Sequence, residues 1–65
     1  MRGTYDKEAD AAYLYLSDEK IIRTTEINTE INFDYDALGK VVGIEFLNAK
    51  SQLADATLIS FQQLS

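Results

Sequence analysis

The acidic side chains are the residues of this sequence whose types and spacing best fit chemistry. They form two groups: Asp6, Glu8 and Asp10, and Asp34 and Asp36. Because side chains two apart on a strand point to the same face, Asp34 and Asp36 are predicted to be neighbours. Carboxylates held together can bind a hard cation such as Mg²⁺ or Ca²⁺, or act as acid and base in hydrolysis. One prediction is therefore a metal site, or a carboxylate-based hydrolase, built from four of them: Asp6, Asp10, Asp34 and Asp36.

Each aspartate also has a structural interpretation, which we favour. Residues 36–39 combine an aspartate that can accept backbone N–H groups with Gly39, which is free to adopt positive φ, and this pattern is typical of a tight turn. Asp34 is expected to face solvent. The spacing lacks the glycine and the terminal glutamate of a calcium-binding loop, and so short a chain offers little volume for a substrate cleft. We therefore predict no catalytic residues and no cofactor.

Composition restricts the function further. The chain has no cysteine and no histidine, which excludes disulfides, thiolate metal sites and histidine-dependent catalysis. Its net charge is −5 and its six basic residues are spread along the sequence, which argues against unaided nucleic-acid binding. No apolar run is long enough to span a bilayer, and the N-terminus lacks the apolar core of a signal peptide. We expect a cytoplasmic protein with no membrane partner.

Alternating residues predict the strands that position these side chains. Ile31, Phe33 and Tyr35 alternate with polar residues, and alternation resumes after the turn, as in two half-buried strands. Three earlier segments are predicted as strands: 2–5, 10–16 and 21–27. Gly43, in mid-strand, predicts a bulge or the close approach of another backbone. Residues 1–48 are therefore predicted to form a β-meander.

The C-terminal segment, residues 49–65, is predicted to be helical. Asn48 or Ser51 is expected to cap the helix, although alternating apolar residues within 57–65 also fit a strand. The predicted fold class is α+β: one domain over residues 1–65, with an antiparallel meander of four or five strands and a C-terminal helix packed on one face.

One helix covers only one face of such a sheet, so the other face is predicted to be a contact surface. We expect it to carry four residues: Tyr13, Tyr15, Ile21 and Ile27. A chain this short buries only about 60 % of the surface that its unfolded form exposes. Without disulfides or metal, oligomerisation is the remaining means of stabilisation. We therefore predict a homodimer, formed through this face or by exchange of C-terminal segments.

Two motifs are similar to those of a known family. The first is residues 5–17, YDKEADAAYLYLS. The second is residues 34–36, DYD, then residues 39–45, GKVVGIE, followed by Leu47 and Ala49, with Ala37 and Leu38 in place of a more polar turn. They resemble the family of small prokaryotic proteins called domain of unknown function 2283, with Ala12 where the family more often has leucine. The resemblance implies a small α+β protein with no established activity. Because some members are encoded beside small toxin-like proteins, it also implies an antitoxin-like role.

From these observations we predict a small, acidic, non-catalytic protein-interaction module. Its acidic surface is expected to steer a basic partner. The most specific form of this prediction is an antitoxin-like protein that masks a small basic protein. The alternative is the metal- or ligand-binding protein, or the hydrolase, described above.

Overall fold

The computed structural model describes residues 1–64, which form a small α+β protein. Strands and helices follow one another as β1 (Arg2–Asp6), β2 (Ala11–Tyr15), β3 (Arg23–Asn28), β4 (Ile31–Tyr35), β5 (Val41–Leu47), α1 (Ala49–Gln52), α2 (Asp55–Ser60) and β6 (Gln62–Leu64). Neither helix in this part of the chain is long and apolar enough to cross a membrane.

All six strands form one sheet, in the order β3-β4-β5-β2-β1-β6. The predicted antiparallel meander of four or five strands is wrong, because β6 adds a sixth strand that runs parallel to β1. The connection is also not a meander throughout. β2 pairs with β5 rather than with β3, so residues 16–22 carry the chain past two strands to the sheet edge. Strand pairing at this distance depends on tertiary contacts that local periodicity does not contain.

Two short helices and a strand replace the single predicted C-terminal helix. Asn48 lies at the N-cap of α1 with φ 51°, and its side chain makes no capping hydrogen bond. Asn48 Nδ2 donates instead to Glu30 at 2.7 Å. After α2, Gln63 Nε2 donates to the carbonyl oxygens of Leu58 and Phe61 at 2.9 and 2.8 Å, and Gln62–Leu64 pairs with β1. Ser65, the last residue of the predicted helical segment, lies outside the described residues.

Alternation along the strands sorts their side chains onto two faces. One face, here the polar face, carries Arg2, Thr4, Asp6, Ala11, Tyr13, Tyr15, Thr24, Glu26, Asn32, Asp34, Gly43 and Glu45. The opposite face, here the apolar face, carries Gly3, Tyr5, Ala12, Leu14, Arg23, Thr25, Ile31, Phe33, Tyr35, Ile44 and Phe46. The strand carboxylates, Asp6, Glu26, Asp34 and Glu45, therefore all lie on the polar face.

The helices cover only part of the apolar face. The buried cluster joins two strand residues, Tyr5 and Ala12, to two helical residues, Ala49 and Leu58. Three half-buried side chains pack against it: Phe46, Leu53 and Phe61. Of the half-buried residues on this face outside the cluster, four large side chains lie side by side on β2, β5 and β4, and we call them the uncovered patch: Leu14, Phe33, Tyr35 and Ile44. The core therefore lies at the β1–β2 side of the sheet.

Candidate functional site

The polar face is organised around Asp34, which is 8 % exposed. Tyr13 Oη donates to Asp34 Oδ2, and Thr24 Oγ1 donates to Asp34 Oδ1. Tyr13 lies on β2 and Thr24 on β3, on opposite sides of β4 in the sheet. The prediction that Asp34 faces solvent is wrong, because its side chain is buried and accepts one hydroxyl group from the adjacent β3 and another from β2, across β5.

Gly43 makes this connection possible. It lies on β5, in register with Asp34 on one side and with Tyr15 on the other. A Cβ at position 43 would lie 2.0 Å from Tyr13 Oη, so any side chain there would displace the phenol. The register also shifts beside it, since Asp34 pairs with Gly43 whereas Tyr35 pairs with Val41. The glycine and the bulge together let Tyr13 reach across β5.

The electrostatics of Tyr13 indicate a structural role. Burial raises the pKa of Tyr13 well above its ordinary value, and the hydrogen bond to Asp34 raises it further. The phenol therefore stays protonated well into the alkaline range and donates a hydrogen bond to the carboxylate. A general acid or base needs a pKa close to the working pH. This pair holds the sheet together rather than transferring protons.

A depression of about 170 Å³ lies beside this pair. Its lining includes three of the four predicted contact residues, together with a basic and two acidic residues: Tyr13, Tyr15, Ile21, Arg2, Asp18 and Glu19. The guanidinium of Arg2 lies 3.8 Å from the centroid of the Tyr15 ring, within the range of a cation–π interaction. The Tyr13 and Tyr15 ring centroids are 4.6 Å apart. Ile27, the fourth predicted contact residue, lies near the far end of β3.

The remaining aspartates bind backbone and side-chain groups of the turns. Asp36 Oδ1 accepts the N–H groups of Leu38 and Lys40, both at 2.9 Å, and Gly39 has φ 76°. Asp6 Oδ1 accepts the N–H of Glu8 at 3.0 Å. These contacts place both aspartates in turn-stabilising roles.

Asp10 connects the first hairpin to α1. Its Oδ1 accepts Tyr5 Oη at 2.7 Å and the N–H of Lys50 at 3.1 Å. The hydrogen bond to this carboxylate raises the pKa of Tyr5 above its ordinary value, and desolvation by burial adds to the shift. Asp10 itself has φ 50°, in the left-handed region that aspartate tolerates better than most residues.

The structure does not bring together the four aspartates of the predicted metal or hydrolytic site. Asp6 is in register with Ala11, which is in register with Leu47, whereas Asp34 lies at the other end of β4. Strand spacing and rise place Asp6 and Asp34 on the order of 20 Å apart. Within residues 1–64, no group of three or more carboxylates is positioned to hold a metal ion.

Sequence reasoning missed two features of the site. The first is the network formed by Asp34, Tyr13 and Thr24. The mid-strand glycine at position 43 was the one sequence feature that could have indicated it, because it leaves room for a side chain from another strand. The second is Arg2, which reaches the Tyr15 ring because β1 and β2 place the two residues directly opposite each other. Residues from three separate strands cannot be assigned to one network before the strand order is known.

Comparison with known proteins gives one family. The sequence model of a family described as "Protein of unknown function (DUF2283)" matches residues 2–50. This range contains β1 to β5 and includes the Asp34 network and the depression, whereas α2 and β6 lie outside it. No curated protein and no solved structure gives a significant match.

Proposed function

The chain belongs to the DUF2283 family of unknown function, and from that premise we propose that it is a non-catalytic protein-interaction module. In this proposal the polar face receives basic side chains of a partner protein. The binding site is the depression next to Tyr15.

The observation that carries this proposal is the position of Arg2. Its guanidinium stacks on the Tyr15 ring at 3.8 Å, inside a depression that Asp18 and Glu19 also line. An aromatic ring flanked by carboxylates favours a cation through both the ring quadrupole and charge attraction. Arg2 occupies, from within the chain, the kind of position that a partner's arginine or lysine would take.

The charge distribution supports the same partner chemistry. The four strand carboxylates lie on the polar face, and the whole chain has a net charge of −5. Such a field attracts a basic protein and speeds its association. In its most specific form, the proposal is an antitoxin-like cytoplasmic protein that masks a small basic protein.

The non-catalytic part of the proposal follows from how the polar groups are used. Asp34 is bound by two hydroxyl groups, and Asp36 by two backbone N–H groups. A carboxylate engaged in this way contributes to turn and sheet stability. The depression is also small, about 170 Å³, whereas small-molecule sites usually have roughly 300 Å³ or more.

The test is capture of partners from an extract of the source cells with the tagged full chain. The informative variant is Asp18→Asn with Glu19→Gln, which removes both carboxylates from the depression. The matched control is Glu8→Gln with Asp55→Asn, which makes the same change in net charge at exposed positions elsewhere. We expect the wild type and the control to retain one small basic protein in stoichiometric amount, and the informative variant to retain about tenfold less.

Two results contradict the proposal. Equal loss in both variants shows that net charge, and not the depression, is responsible for binding. Equal retention by all three proteins shows that the partner uses another surface. Raising the ionic strength should also weaken the interaction, because salt screens exposed charges.

A further inference from the structure

We infer that the uncovered patch is a homotypic interface, through which two copies of this chain pack the uncovered parts of their apolar faces against each other. This interface lies on the face opposite the depression, so both surfaces are accessible at the same time. A dimer of this kind presents two outward polar faces.

The patch is continuous across the middle of the sheet. Phe33 on β4 is in register with Ile44 on β5, and Ile44 is in register with Leu14 on β2. The rings of Phe33 and Tyr35 are in edge contact, with centroids 6.4 Å apart. No residue of α1 or α2 belongs to this row. A sheet with one apolar face is stable when that face is buried against another layer.

Two copies of this acidic chain can meet on the apolar face because the strand carboxylates lie on the other face. The strand carboxylates all lie on the polar face, so stacking of two apolar faces brings none of them into opposition. Arg23 is the charged strand residue on the apolar face, and its guanidinium lies 4.1 Å from the centroid of the Tyr35 ring. Its aliphatic and planar parts can therefore cover the edge of the patch while its charge stays near solvent.

The patch occupies only the part of one broad face, 33 by 23 Å, that α1 and α2 leave open. Each copy therefore buries less than the roughly 800 Å² of a standard interface, and dimer formation is expected to depend on protein concentration. An apolar face related by a two-fold axis contacts its own copy, which makes it complementary to itself. A single chain also gains from burying more apolar surface, since its buried hydrophobic residues within 1–64 are few: Tyr5, Ala12, Val42, Ala49 and Leu58.

The first test is the mass of the purified full chain in solution, measured by sedimentation over a wide range of protein concentration. The variant Phe33→Thr with Ile44→Thr keeps β-branched residues in the strands while removing apolar area from the patch. The control is Ile59→Thr, an apolar side chain on α2 that is 79 % exposed. We expect dimers of the wild type and of the control, and monomers of the double variant at the same concentrations. Circular dichroism checks that each variant is folded.

The second test locates the interface without weakening the fold. Because the chain has no native cysteine, Ile44→Cys and Glu45→Cys each introduce a single thiol, on the apolar and polar faces respectively. Ile44 lies between Leu14 and Phe33, so a short bismaleimide should join two Ile44→Cys chains and leave Glu45→Cys chains unjoined.

The inference is overturned by a wild type that stays monomeric at all concentrations, or by crosslinking through position 45 in preference to position 44. If the wild type is monomeric and captures another protein that the Phe33→Thr, Ile44→Thr variant does not capture, then that protein, and not a second copy, covers the patch. These outcomes are independent of the proposed function, whose test depends on Asp18 and Glu19 on the other face.

Discussion

The two faces of the sheet are held in different ways. On the polar face, Asp34 receives hydroxyl donors from β2 and β3, and Asn32 Nδ2 donates to Glu45 at 2.9 Å. On the apolar face, packing is complete only where α1 and α2 reach it. The comparison shows that directional polar contacts connect strands that the small core does not cover.

The buried polar atoms are also all hydrogen-bonded. Within residues 1–64, every buried side-chain nitrogen or oxygen has a partner. A buried network of this kind is stable when complete, but each member becomes costly if its partner is removed. The apolar face behaves differently, because lost contacts there scale with the area that was buried.

Replacing Asp34 with alanine should have the largest effect. The change leaves the Tyr13 and Thr24 hydroxyl groups without their acceptor, and the loss of two hydrogen bonds to a charged group should cost about 3 kcal/mol. Urea denaturation at one fixed protein concentration measures the loss. Asp36→Ala is the control in a turn and should cost only about 1 kcal/mol. Equal losses would remove the distinction between the network and an ordinary turn.

Truncation within the apolar face should separate its covered and uncovered parts. Leu58→Ala empties a buried site between helix and sheet and should lower the free energy of unfolding by about 2–3 kcal/mol. Ile44→Ala should lower that of the dilute monomer by roughly half as much, since this side chain is already partly hydrated. Denaturation at several concentrations is required, because dimerisation adds stability that grows with protein concentration. A larger loss for Ile44→Ala in the monomer would show that the patch is covered within one chain.

Gly43→Ala tests the passage of Tyr13 across β5. The new methyl group would occupy the position of the phenol oxygen, and relief of this overlap should cost about 2 kcal/mol. Gly39→Ala is the matched control, with no atom within 4 Å of its Cβ but a φ of 76°, and should cost about 1 kcal/mol. When Tyr13 is also replaced by alanine, Gly43→Ala should cause little further loss in the free energy of unfolding. Penalties that remain additive would contradict the proposed overlap.

Tyr13→Phe should have the smallest effect at neutral pH, about 1.5 kcal/mol for one hydrogen bond to a carboxylate. The pH dependence is more specific. Because the pKa of Tyr13 is higher in the folded protein than in the unfolded chain, its contribution is fully present below the ordinary tyrosine pKa of about 10 and is lost as pH rises beyond that value.

Denaturation midpoints between neutral and strongly alkaline pH measure this loss. The wild type should lose stability more steeply above the ordinary tyrosine pKa than Tyr13→Phe does. Tyr15→Phe is the control, since it removes a phenol from the same strand and face but leaves the contact between Tyr13 and Asp34 in place. Identical alkaline profiles for the wild type and Tyr13→Phe would show that Tyr13 does not carry the effect.

Local pattern was sufficient for much of the fold. The period-two alternation around Phe33 and Tyr35 predicted β4, and the run of Tyr and Leu residues before Ser17 predicted β2. The α+β class and the family resemblance over residues 5–49 also came from the sequence. These features depend on neighbours within a few residues, for which side-chain direction follows directly from strand geometry.

The strand order, the sixth strand and the use of Asp34 depended on the tertiary structure. Alternation shows which residues share a face of one strand, but it does not show which other strands pair with that strand. Tyr13 and Asp34 are 21 residues apart and meet only because β2 and β4 both border β5 at Gly43. The sequence by itself therefore determined the first five strands, to within a few residues, and their two-sided character. The tertiary structure decided which polar groups were buried together, because that depends on contacts between strands distant in the chain.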